Sequence, residues 1–185
     1  LVLGIDLGTS GVRIAIINTK KKILFTSSKT YSKGLEISED WINSLKSLIK
    51  EIPKGLKEKL VSCSVAGTSG TLLACKKNGE PIGKALPYFL SYSEYSYEIE
   101  KLFTKECAGS SISGSVGRAL RLIALYGNEI ILRHQADWIS GWLINNWEYG
   151  EESNNIRMGW EISNNSWPNN FQHLNWLKCL PKIIS

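Results

Sequence analysis

The first eighteen residues, LVLGIDLGTSGVRIAIIN, constrain this chain more than any other stretch. An apolar run over Leu1–Ile5 ends in Asp6, passes through Gly8-Thr9-Ser10-Gly11, and resumes as Val12, Ile14, Ile16 and Ile17. Apolar segments on both sides of a small-residue turn read as a β-hairpin. The turn offers hydroxyls, backbone N–H groups and two glycines, Gly8 and Gly11, whose missing Cβ lets a ligand approach closely. That is the composition a phosphate site needs. Asp6 ends the first strand and supplies the kind of oxygen that a hard cation such as Mg2+ takes, with water in between. No Gly-Lys-Ser/Thr follows, so this is not a P-loop. A strand rather than a helix follows the turn, so it is not a dinucleotide fingerprint. An ordinary hairpin turn shares the same composition, and the rest of the chain must decide between the two.

Ile23–Ser28 (ILFTSS) predicts a third strand, with Asn18–Lys22 as the turn before it, so three strands in meander order precede any helix. Ser38-Glu39-Asp40 predicts the cap of a helix over Trp41–Glu51, with Trp41, Leu45 and Leu48 on one face and Pro53 closing it. Leu60–Val65 (LVSCSV) reads as a short buried strand, and Gly67-Thr68-Ser69-Gly70 as a second small-residue turn. Thr71–Lys76 then reads as a strand, Lys77-Asn78-Gly79-Glu80 as a hairpin turn, and Pro81–Tyr88 as its return. Past Ser91 the pattern is helical over Tyr92–Thr104, Ser115–Tyr126, His134–Asn145 and Pro168–Leu180. Cys107–Gly114 is a Gly/Ser-rich loop, and Tyr149–Trp167 is a polar segment expected at the surface. This order predicts an α/β fold with a mixed sheet and helical additions, because a purely parallel Rossmann order would alternate strand and helix from the start.

A length of 185 residues predicts one domain with a real core, and 43% hydrophobic with 21% charged residues excludes a disordered chain. The net charge of +5 admits an anionic partner. The basic residues are scattered, however, and Lys20-Lys21-Lys22 falls on an expected turn, so nucleic acid is the weaker of the possible partners. Cys63, Cys75, Cys107 and Cys179 show no metal-ligand spacing. Cys63 and Cys75 sit in apolar strand-like segments and read as buried, reduced thiols of a cytoplasmic protein. No signal peptide or membrane-length apolar segment is visible. The sequence starts at Leu1 rather than Met, which reads as a trimmed N-terminus. Trp41, Trp138, Trp142 and Trp176 fall on expected helical faces and read as core rather than as sugar-stacking platforms, with Trp160 and Trp167 left open. His134 and Asp137 read as structural, and His173 as exposed.

Three segments in this order resemble the FGGY carbohydrate kinases, which belong to the actin-like ATPases with ribonuclease H-like domains. Gly4-Ile5-Asp6-Leu7-Gly8-Thr9-Ser10-Gly11-Val12-Arg13 is similar to the family's first phosphate motif. Ser64–Gly83 (SVAGTSGTLLACKKNGEPIG) is similar to the segment in which a sugar-contacting turn precedes a hairpin. His134-Gln135-Ala136-Asp137-Trp138 and Glu151–Trp167 resemble the segment that carries the catalytic base. The set is most similar to the xylulose/ribulose kinase-like proteins of cyanobacteria and plants. The likeness runs nearly end to end but covers only the N-terminal, sugar-side half. No second glycine-rich phosphate or adenosine motif follows, so the nucleotide domain is expected to be absent from this chain.

The resemblance implies ATP-dependent phosphoryl transfer to a sugar, a ketopentose by the nearest likeness, in a cleft between two domains. It assigns Asp6 to Mg2+ through water, Gly8, Thr9 and Ser10 to the phosphate-facing turn, and Arg13 to the transferred phosphoryl group. It assigns Thr68, Ser69 and Gly70 to the sugar. The base falls on Glu151 when the pattern is anchored on Ser153–Arg157, with Glu152 one residue away. Relatives carry Asp there, and the extra methylene of Glu moves the oxygens by about an ångström, a misplacement that can cost roughly a hundredfold in rate. A polar Asn-Asp or Gln-Asp pair followed by Arg is replaced here by Phe89-Leu90. The implied partners are a sugar, ATP with Mg2+, and a separate nucleotide-domain chain or a second copy. With half the active site missing, the isolated chain is expected to be inactive. The alternatives are a non-catalytic sugar- or phosphate-binding module, or a nucleic-acid binder acting through its positive charge.

Overall fold

The structure, a computed structural model, describes residues 1–184. The chain divides into two compact units, Leu1–Thr68 and a second running from Ser69 onward. The first contains β1 (Val2–Leu7), β2 (Gly11–Ile17), β3 (Ile23–Thr30), α1 (Ser38–Glu51), the single turn α2 (Lys54–Lys57) and β4 (Ser62–Gly67). Its sheet has the order β3-β2-β1-β4, with β1 antiparallel to β2 and parallel to β4. The expected meander and mixed sheet are both present.

Alternation along β1 and β2 sends Leu3, Ile5, Leu7, Val12, Ile14 and Ile16 to one buried face. α1 packs across β2 and β3 and adds Trp41, Leu45 and Leu48, all with no exposed surface. The Trp41 indole N–H donates to the Leu35 carbonyl at 2.9 Å, so burial leaves its one donor satisfied.

Two expectations need correction in this unit. The helix starts at Ser38 behind Ile37, with no side-chain cap. Asp40, expected as part of that cap, is buried and instead accepts from the Lys33 N–H at 2.6 Å and the Ser32 hydroxyl at 3.0 Å, pinning the loop that enters the helix. The strand expected buried over Leu60–Val65 runs from Ser62 to Gly67 and is largely exposed, Cys63 included. β4 is the sheet's edge strand, and α1 lies over the strands beyond it.

The second unit contains β5 (Leu72–Cys75), α3 (Ser96–Leu102), α4 (Ser115–Tyr126), β6 (Ile131–His134), α5 (Gln135–Ile144), β7 (Tyr149–Glu151), α6 (Glu152–Asn155) and β8 (Lys182–Ile184). β5 pairs antiparallel with β6, and β7 pairs parallel with β8. Leu72, Ala74, Ile99, Val116, Leu122, Leu132 and Phe171 anchor its core.

α4 has the expected bounds, closed by Gly127 at φ +75°. The hairpin tip at Lys77–Glu80 forms, with Gly79 at φ +80° and the Lys76 N–H donating to the Glu80 carbonyl at 2.8 Å. The return Pro81–Tyr88 makes only isolated bridges at Pro81 and Leu86. Pro81 and Pro87 have no N–H to give a ladder, which keeps this pairing discontinuous, and β5 forms its continuous ladder with β6. The helix expected from His134 therefore begins one residue later, behind a strand that was not foreseen. Tyr92–Thr104 splits into a 3-10 turn at Ser93–Tyr95 and α3.

Pro168–Leu180 is not a helix. It folds as two 3-10 turns, Asn169–His173 and Leu177–Cys179, which send Phe171, Trp176 and Cys179 into the core at spacings that no single helical face provides. Tyr149–Trp167 is not a surface segment either, since Gly150, Asn155, Met158 and Trp160 are buried. Trp167 stacks on Phe171 at 6.0 Å and meets Trp160 edge-on at 5.2 Å, so both tryptophans belong to a packed aromatic cluster. Among the described residues, no helix is long and apolar enough to cross a membrane.

Candidate functional site

In the first unit, register places Asp6 directly opposite Arg13. Arg13 Nη1 donates to Asp6 Oδ2 at 3.2 Å, with side chains 70% and 54% exposed. The Gly8 N–H donates to the Gly11 carbonyl at 2.8 Å and closes the turn, while Ser10 is tied to the start of the next loop by the Tyr31 N–H at 2.9 Å. Thr9 and Ser10 stand exposed at the tip. Asp6, Gly8, Thr9, Ser10 and Arg13 thus share one end of one hairpin.

The two glycines have different jobs. A Cβ on Gly11 would collide with the Lys29 carbonyl and stand 2.9 Å from Thr30 Cα, so β3 can pass only a glycine there. At Gly8 the nearest atom to such a Cβ is 3.4 Å away, and the fold does not demand glycine. What Gly8 leaves open is the approach to the tip.

Among the described residues, no three His, Cys, Asp or Glu side chains cluster as a metal cage. A lone exposed carboxylate fits a cation held through water and a bound phosphate, which is how Mg2+ is usually carried. The residues present therefore fit Mg2+ bound with a phosphate chain.

The boundary between the two units falls inside the turn assigned to the sugar, after Thr68 and before Ser69 and Gly70. Gly70 takes φ +94°, and its carbonyl accepts from Arg118 Nε at 2.7 Å. Arg118, with no exposed surface, also donates to the carbonyls of Tyr88 at 3.0 Å, Leu90 at 2.6 Å and Ser113 at 3.1 Å. One guanidinium fork thereby fixes three loop segments. Burial, followed by the charge of Arg157, draws its pKa down to about 10, so it is a cation at neutral pH. Sequence reasoning missed Arg118. The available signal was its place on the same helical stripe as Ser115, Ala119 and Leu122, where a charge is costly unless something consumes it. Phe89, beside this clamp, is 58% exposed.

Glu151 ends β7 and caps α6. Its Oε2 accepts from the Asn154 N–H at 3.1 Å and its Oε1 from the Ser153 hydroxyl at 2.8 Å. Glu151 and not Glu152 holds this cap, and its side chain is exposed. Its backbone N–H donates to Asp137 Oδ1 at 3.0 Å. Asp137, buried on α5, also accepts from Asn154 Nδ2 at 2.8 Å and Asn155 Nδ2 at 2.9 Å. Gly150 makes room, because a Cβ there would lie 2.9 Å from Asp137 Oδ2 and 2.7 Å from the Pro181 ring. His134 is buried with Nε2 2.9 Å from Ser115 Oγ and Nδ1 3.8 Å from Asp137 Oδ2, which makes it an internal strut.

No protein-family model matches the sequence. Solved structures do match the fold. Plasmodium falciparum glycerol kinase with ADP aligns over 100% of this chain and 43% of its own, at TM-score 0.83 and 17% identity. A xyloylose (xylulose) kinase from Brucella ovis aligns over 98% of this chain and 42% of its own, at 0.84 and 14%. Xylulose kinase from Rhodospirillum rubrum aligns over 97% and 42%, at 0.79 and 14%. The fold is that of the matched part of these sugar kinases. At these identities the fold is what the sugar kinases and this chain share, and the chain spans less than half the length of each of the three.

Proposed function

We propose that this chain is the sugar-side part of an ATP-dependent carbohydrate kinase that phosphorylates a hydroxyl of a ketopentose or similar sugar. The observation that carries the proposal is the Asp6–Arg13 pair at the open end of a glycine turn. A carboxylate suited to a hydrated cation and a guanidinium suited to a phosphoryl group stand one hydrogen bond apart. The whole-chain likeness to glycerol and xylulose kinases supports the same reading.

In this proposal Asp6 binds Mg2+ through water, and Gly8, Thr9, Ser10 and Arg13 face the transferred phosphoryl group. Thr68, Ser69 and Gly70 contact the sugar, with Arg118 positioning Gly70. Glu151 takes the proton from the attacking hydroxyl, keeping lone pairs available beyond the two hydrogen bonds that orient it. ATP with Mg2+, when bound, supplies the phosphoryl group. The adenosine-binding part comes from a further domain or a separate chain, so these residues alone are inactive. Four cysteines outside any disulfide fit the cytoplasm.

The exposed Phe89 favours a second reading, a module that binds sugar or phosphate without turnover. By the resemblance Phe89-Leu90 replaces a polar pair, and an exposed phenyl ring accepts no hydroxyl hydrogen bond. Thermal denaturation with xylulose, ribulose, glycerol and gluconate, combined with an ADP-release assay in the presence of a separately produced kinase nucleotide domain, separates the two. The kinase proposal expects a stabilising sugar and sugar-dependent ADP release that falls about 10²- to 10⁴-fold in Glu151→Gln. Stabilisation without ADP release supports the binding module. No response to any of these sugars overturns the kinase reading and the sugar-binding form of the module.

A further inference from the structure

A cavity of about 370 Å³ in the second unit shares no residue with the roles assigned above. Its size falls within the range of small-molecule sites. Ile131 and Leu180 line its apolar part, and the Trp147 indole forms a wall. That wall is immobilised. Trp147 Nε1 donates to the Trp138 carbonyl at 3.0 Å, and the ring packs against Gly79 and Gly141, where a Cβ on Gly141 would lie 2.5 Å from it.

The cavity is also strongly positive. Arg133, 3% exposed, donates to the carbonyls of Trp147 at 2.6 Å, Leu132 at 2.6 Å, Cys179 at 3.0 Å and Glu148 at 3.4 Å. No carboxylate is among its hydrogen-bond partners, so carbonyl dipoles hold the guanidinium in place, and the carboxylates of Asp137 and Glu148 offset part of its charge without bonding to it. Lys77, Lys178 and Lys182 complete the cationic lining. Lys182 pairs with Glu148 at 2.5 Å, and Lys178 pairs with Glu129. Lys77 makes no direct ion pair among the described residues, and its charge acts on the Glu129 carboxylate that Lys178 holds. Arg133 and the three lysines face the carboxylates of Glu129, Glu148 and Asp137, and positive charge is left in excess around one small volume.

We infer that this cavity binds a small phosphate-bearing anion, the lysines and Arg133 taking its charge and the Trp147 face taking its body. A phosphate anion meets that positive excess. Lysine ammonium groups serve it as adjustable point donors, and the low-dielectric floor strengthens each contact.

The test is indole ¹⁵N–¹H NMR of the full chain titrated with inorganic phosphate at constant ionic strength, with the Trp147 signal assigned by Trp147→Phe. The Trp147 signal shifts saturably. Lys77→Ala and Lys178→Ala, both exposed positions that leave the core intact, each weaken binding roughly tenfold, as expected for a charged hydrogen bond. Arg13→Ala, which disables the hairpin tip of the first unit, leaves the shift unchanged. A Trp147 signal that does not move, wild-type affinity in both lysine variants, or loss of the shift in Arg13→Ala overturns the inference.

Discussion

The buried carboxylate of Asp137 accepts the backbone N–H of Glu151 at 3.0 Å, so one acidic side chain places the chain segment that carries another. The same carboxylate satisfies the side-chain amides of Asn154 and Asn155. Asp137→Ala would leave three donors without their acceptor, at a cost of about 3 kcal/mol or more, since each buried orphan costs ~1–3 kcal/mol. Urea denaturation will show a large drop in midpoint. A loss comparable to that of an exposed substitution would mean that the Glu151 segment is held by something else.

Gly11 and Gly8 separate folding from binding at the hairpin tip. Gly11→Ala forces the β3 backbone away and should cost about 1–3 kcal/mol by overpacking. Gly8→Ala meets nothing closer than 3.4 Å and should retain wild-type stability while obstructing an anion at the tip. Denaturant midpoints of the two variants, alongside phosphate titrations followed at the Gly8–Gly11 amides, check both halves. Equal destabilisation by the two substitutions would contradict the geometry.

Cys75 predicts an alkaline limit to stability. It has no exposed surface, and burial pushes its thiol up to about 12, with the Arg133 charge opposing only in part. The unfolded thiol ionises near its ordinary value of 9.0 while the folded one keeps its proton. The contribution is therefore complete below pH 9 and lost as pH climbs toward 12. Arg118 and Arg133, drawn down to about 10, act in the opposite sense but only above that pH. Between pH 9 and 10 the wild type should lose stability with a steeper slope than Cys75→Ala, even though the variant is less stable at pH 7. Parallel slopes would remove Cys75 as the cause.

The parts of the fold that were legible in the sequence are those whose information is local. The β1–β2 hairpin, the meander to β3, α1 and α4 each follow from a period of two or of about 3.6 read within a dozen residues. β6 was not legible, because a short apolar run running into a helix declares itself a strand only through its partner β5, a long way back in the chain. Pro168–Leu180 looked helical by composition. Its aromatic residues are instead pulled to several sides of one core, and short 3-10 turns allow that where a regular helix does not.

The candidate site divides along the same line. The turn Gly8-Thr9-Ser10-Gly11, with Asp6 before it and Arg13 after it, is set by the sequence alone, because strand pairing across a four-residue turn leaves one register that buries Leu7 and Val12 together. Glu151 as the cap of α6, the clamp that Arg118 makes around Gly70, Tyr88, Leu90 and Ser113, and the service of Asp137 to Glu151 were decided only by the tertiary structure. A buried charge or amide must find its hydrogen-bond partners wherever the folded chain brings them, and those partners lie up to 48 residues away from Arg118 and up to 18 from Asp137. Periodicity says which side chains go inside. Which polar group then waits for them there is settled by packing.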